Sequence, residues 1–75
     1  MNKERRERIR GIISTIKVAA EEVEKVKDDE EFAYDNMPEN LQYSMRGEDS
    51  QEAIEALDNA LDQLCEAIDS LEEVL

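Results

Sequence analysis

From Ala53 to Glu73 the chain runs through three unbroken heptads, and Ile54, Leu57, Leu61, Leu64, Ile68, Leu71 and Leu75 alternate at spacings of three and four. On an α-helix that spacing keeps one apolar line turned in a single direction along the whole element. A single apolar line has to be covered by another helix. Ala53, Ala60 and Ala67 lie directly beside it, and small residues there let a neighbouring backbone approach closely.

The partner helix is legible upstream. Ile9, Ile12, Ile16, Ala19, Val23, Val26 and Ala33 fall at seam positions of a second heptad pattern, widened by Ile13 and Ala20 and interrupted by Glu30. A polar residue on a seam marks a frayed end or a register-setting position. With Asn2 as cap, the pattern predicts helix 1 over about 3–34. Gly11 costs about 1 kcal/mol relative to alanine inside such a helix.

The stretch Asp35–Asp49 breaks the periodicity, and here the chain turns. Asp35 or Asn36 is placed to cap a new turn, Pro38 suits the first turn of a short helix, and Gly47 is expected to end it. Asp49 with Glu52 forms a capping box for helix 2 over about 50–74, with Ser50 as the alternative cap. Met37, Leu41, Tyr43 and Met45 are expected to fold back over the bundle end. The fold class is therefore all-α: an antiparallel, coiled-coil-like helical hairpin, residues 1–75 as one domain, with a short helix in a connection over about 35–48.

With 75 residues, such a hairpin buries one stripe per helix, and a lone core of this size supplies only about 3–5 kcal/mol. Assembly of hairpins into a homo-oligomeric helical bundle is the expectation. The single cysteine, Cys65, has no internal disulfide partner and is expected to act as a small hydrophobe beside Leu64. No signal-peptide pattern opens the chain and no run approaches a membrane span. A soluble, cytoplasmic protein is expected.

The net charge is −12, and its distribution carries more information than its total. All nine basic residues lie at or before Arg46, and every charge from Gly47 onward is acidic. That surface repels phosphate backbones and argues against direct binding of duplex DNA. It keeps the protein in solution and can also mimic nucleic acid toward a basic partner.

Several chemistries are missing. Without histidine there is no imidazole base, no triad and no Glu-x-x-His di-iron site. The run Asp28-Asp29-Glu30-Glu31 lacks the glycine turn and alternating ligands of a calcium loop, and no glycine-rich phosphate loop is present. The residues point to a non-enzymatic protein with no metal and no cofactor.

What stands out is the basic start of helix 1, where Lys3, Arg5, Arg6, Arg8 and Arg10 fall in the first ten residues and Lys17 follows. Two explanations compete. In an antiparallel hairpin, Glu72, Glu73 and the terminal carboxylate approach this end and neutralise it. Alternatively, arginine forks from two or more subunits hold an anionic ligand, because guanidinium groups grip phosphates bidentately. Arg5, Arg6, Arg8 and Arg10 are the candidate phosphate-binding residues, with Arg46 and a stacking Tyr43 as candidate additions.

The segment Asp35-Asn36-Met37-Pro38-Glu39-Asn40-Leu41-Gln42-Tyr43-Ser44-Met45-Arg46-Gly47-Glu48, followed by a Glu/Ala/Leu heptad helix, resembles small acidic proteins encoded by phages and mobile elements of Firmicutes. The resemblance covers about the last half of the chain and carries over no site residue. It implies a setting in which short helical proteins sequester an immune nucleotide, block a defence protein or occupy a host regulator. The hairpin also looks like phage sponges that trap cyclic nucleotides. The leading expectation is a counter-defence protein that sequesters a cyclic nucleotide between subunits. A second is an antagonist whose acidic helix 2, through Glu55, Asp58, Asp62, Glu66 and Asp69, docks on a basic host protein. A third is a self-assembling scaffold.

Overall fold

The computed structural model describes every residue from Met1 to Leu75. Two long helices, α1 (Lys3–Asp35) and α3 (Met45–Glu72), pack against each other on either side of a one-turn helix, α2 (Glu39–Gln42). The hairpin is 58 Å long and about a quarter as wide.

Local chemistry sets the boundaries. Asn2 caps α1, its Oδ1 accepting from the Arg5 backbone N–H at 2.9 Å, which satisfies one of the free amides of a first turn. Asn36 closes the same helix. Its Nδ2 donates to the Phe32 carbonyl at 2.8 Å, and its backbone N–H reaches the same oxygen at 3.1 Å. Asn36 therefore ends α1 rather than opening α2. Pro38 precedes α2, and its carbonyl accepts from the amides of Leu41 and Gln42.

Helix α3 starts at Met45, five residues earlier than the Asp49–Glu52 capping box implies. Ser44 takes the cap position, its carbonyl accepting from Glu48 N–H at 3.0 Å, while its hydroxyl donates backward to Leu41 O. Gly47 is not the end of the short helix. It is buried in the first turn of α3 with ordinary helical geometry. A Cβ there would collide with the backbone carbonyls of Gln42 and Leu41. The glycine lets the end of α2 lie directly on α3, and this contact carries the α3 start past the capping signal.

On α3 the expected stripe faces α1: Ile54, Leu57, Leu61, Leu64 and Leu71 are half-buried and Ile68 is 9 % exposed. On α1 the buried line is rotated by one heptad column. Two columns turn inward, Arg6, Ile13, Ala20, Lys27 and Tyr34, then Ile9, Ile16, Val23 and Glu30. Ile12, Ala19, Val26 and Ala33, expected on the seam, are exposed. Polar contacts from α3 account for the rotation. Ser50, itself 6 % exposed, donates to Glu30 Oε1 at 2.6 Å. Lys27 Nζ meets Asp58 Oδ1 at 2.9 Å, and Gln51 Nε2 donates to the Tyr34 hydroxyl at 2.7 Å. Glu30 is thus a register-setting seam residue, since a slip leaves its carboxylate or the Ser50 hydroxyl without its partner.

Ile13 and Ile68 are the only buried hydrophobic side chains, and each contributes about 1.5–3 kcal/mol. Cys65 is exposed, on the solvent side of the stripe rather than against α1. Met37 and Leu41 are half-buried as expected, whereas Tyr43 and Met45 are 79 % and 76 % exposed, because the contact between α2 and Gly47 aims them outward. No helix is long and apolar enough to cross a membrane.

Candidate arginine site at the open end

The start of α1 projects past the end of α3. The register set by Lys27–Asp58 and Tyr34–Gln51 brings Glu72 level with Ile13, and Lys17 Nζ reaches toward that level to lie 3.9 Å from Glu72 Oε1. At about 1.5 Å per residue, Arg8 lies about 8 Å and Arg5 about 12 Å farther along α1 than Ile13. The neutralisation expected from α3 therefore reaches Lys17 and stops. No carboxylate of α3 forms an ion pair with Arg5, Arg6, Arg8 or Arg10.

This concentration of charge works against the helix that carries it. The first turns of a helix hold the positive end of its macrodipole, where cations are unfavourable, and Glu4 is the only acid in the first turn. Within α1, Arg10 NH1 meets Glu7 Oε1 at 2.6 Å. Arg6 is half-buried, its Nε enclosed and without a hydrogen-bond partner.

Helical geometry divides the four arginines. Arg5 shares a column with Ile12 and Arg8 one with Thr15, so this pair stands together on one side of α1. Two shallow grooves join there. One, of about 440 Å³, is lined by Arg8, Gly11, Ile12, Thr15 and Ile16; the other, of about 240 Å³, by Met1, Arg5, Arg8, Ile9 and Ile12. Arg6 and Arg10 belong to columns turned away from these grooves. Nothing fills the space above Gly11, which leaves the first groove open at its middle, and Thr15 Oγ1 donates to the Gly11 carbonyl at 3.1 Å. Ile12 contributes to both grooves and was hidden in the sequence because it was expected on the seam.

Tyr43 and Arg46 are exposed at the other end of the hairpin. Arg10 alone is about 37 Å along the α1 axis from Asp35. Within one chain the six candidate residues therefore form two separate groups. The acidic run divides as well: Glu30 binds Ser50, Glu31 Oε1 lies 3.7 Å from Lys27, and no group of three or more His, Cys, Asp or Glu side chains is arranged to hold a metal ion. The hydrogen bond that Lys27 donates to Asp58, with the pull of the neighbouring carboxylates, outweighs desolvation and holds the Lys27 pKa above its usual value.

Neither a protein-family profile, nor a curated protein, nor a solved structure matches the chain.

Proposed function

We propose that this chain is a non-enzymatic binding protein that sequesters a small phosphate-bearing ligand, with a cyclic nucleotide of the kind used in host immune signalling as the leading candidate, and that it serves a phage-type counter-defence role. One observation carries the reading: Arg5 and Arg8 project beyond α3 with no acidic partner and border one groove together, which Arg8 and Ile12 join to the second. Two unpaired guanidinium groups beside an apolar wall of Ile9 and Ile12 suit a ligand with a phosphate and a flat apolar portion. The unfavourable position of these charges at a helix N-terminus is consistent with a binding role.

Native mass spectrometry with a panel of cyclic and linear nucleotides tests it. A stoichiometric adduct that disappears in Arg5→Ala/Arg8→Ala, with helicity retained, is the expected result. An adduct that survives this double substitution, or no adduct from any nucleotide, refutes it.

A second reading, a protein-binding antagonist, is favoured by one feature of α3. Glu55, Asp62 and Asp69 stand in a single seven-residue column, all exposed and none ion-paired, whereas Asp58 is occupied by Lys27. Such a column suits a basic protein surface, and its binding would weaken steeply with salt.

A further inference from the structure

The hairpin has two unlike sides. On one side, Lys17–Glu72, Lys27–Asp58 and Tyr34–Gln51 bridge the helices. The opposite side carries the column Ile12, Ala19, Val26 on α1 and the column Ala60, Ala67, Val74 on α3. In an antiparallel pair of right-handed helices, a column next to Ile9/Ile16/Val23 and one next to Leu57/Leu64/Leu71 flank the same side of the seam. The only polar contact between α1 and α3 on that flank is Ser50–Glu30, near the loop and within the seam columns themselves. Ile12 is 49 % exposed, Val26 54 % and Val74 41 %, and the adjoining isoleucines and leucines are only half-covered.

We infer that a second copy of this chain covers that side, giving a four-helix bundle with the two loops at opposite ends. Area supports a second copy. The chain exposes 5698 Å², whereas a compact monomer of 8.6 kDa exposes about 4,700 Å². The excess of about 1,000 Å² is close to the roughly 800 Å² that each partner loses in a standard interface.

Charge decides the orientation. The loop half, residues 18–58, holds 14 of the 21 acids and three of the nine bases, a net −11; the rest of the chain holds seven acids and six bases, a net −1. Loops at the same end would press two halves of −11 together. Loops at opposite ends place each strongly acidic half against a nearly neutral one that begins with the arginine segment. α1 then lies along the partner's α1, and the arginine overhang reaches the level of the partner's loop. Arg5 and Arg8 of one copy meet the partner's Tyr43 and the partner's Arg46 at each end, which completes a shared anion site. This last step rests on the phosphate-binding function proposed above; the bundle does not.

Sedimentation equilibrium in the micromolar range, without ligand, tests the bundle. The expected result is a dimer, at least tenfold weaker in Ile12→Gln/Val26→Gln. Glutamine favours helix, and both positions are exposed within the hairpin, so circular dichroism should be unchanged. Spin labels on Asn40→Cys in a Cys65→Ser background then give the orientation. Loops at opposite ends set the labels apart by close to the 58 Å hairpin length, whereas loops together set them about 20 Å apart, two interhelical spacings.

A monomer, which would leave this side to a different protein, overturns the inference. So does a dimer indifferent to Ile12 and Val26, or a short label distance. For the shared site, copies carrying Arg5→Ala/Arg8→Ala are mixed with copies carrying Tyr43→Ala/Arg46→Ala and probed with the nucleotide that binds the unaltered chain. Neither variant should bind alone, and the mixed dimer should recover one of two sites. Failure to recover refutes the shared site. A dimer that binds no nucleotide refutes both the shared site and the proposed function, and leaves the bundle standing with the loop carboxylates as partners of the arginines.

Discussion

The loop half and the open half of the hairpin follow the same heptad rule and are held by different forces. Toward the loop, α1 and α3 meet through Glu30–Ser50, Lys27–Asp58 and Tyr34–Gln51, and α2 rests on the bare backbone of Gly47. Toward the open end, Ile13 and Ile68 provide the only buried hydrophobic side chains, and past them Arg5 and Arg8 of α1 have no acidic partner on α3. Apolar contacts are strong and tolerate sliding, whereas polar pairs add little net energy and penalise a wrong register. The polar half therefore selects the rotation of α1, and the apolar half supplies most of the stability.

Substitutions that separate these roles sharpen the comparison. The largest effect is expected at the open end, where Ile68→Ala should destabilise by about 2–4 kcal/mol, read as the shift of a urea unfolding midpoint at fixed protein concentration. A loss below about 1 kcal/mol would mean that the apolar half is not the main support. Gly47→Ala comes next. Alanine gains about 1 kcal/mol of helix propensity, but its methyl group meets backbone carbonyls that cannot rotate away, and the overpacking cost of about 1–3 kcal/mol should leave the variant less stable. A variant more stable than the parent would show that α2 is free to lift off α3.

The smallest effect belongs to Lys27. Because its pKa is raised in the folded state by Asp58, the pair stabilises the fold fully below the usual lysine value and loses that contribution as pH rises through the raised value. Thermal melts between about pH 9 and pH 12 should show a steeper alkaline loss for the parent than for Lys27→Met. Equal slopes would show that the ion pair does not contribute to folding.

The arginine segment was recognisable from its residues alone, because five basic residues among the first ten of an acidic chain have no compositional explanation. Its division was not recognisable. Arg5 and Arg8 share a groove while Arg6 and Arg10 turn elsewhere, and this follows from which columns of α1 face α3. Tyr43 and Arg46 were joined to the group by residue type, and the 33-residue length of α1 separates them from it within one chain.

The sequence by itself determined two heptad helices, their antiparallel connection through Pro38 and the segregation of charge, because spacing, turn residues and formal charge are local properties of the chain. Only the tertiary structure decided which two of the three apolar columns on α1 meet α3. Ile12, Ile9 and Ile13 are equivalent candidates by hydrophobicity, and the choice among them was made by Ser50, Asp58 and Gln51, polar residues on the far side of the turn whose partners exist only once the helices pack.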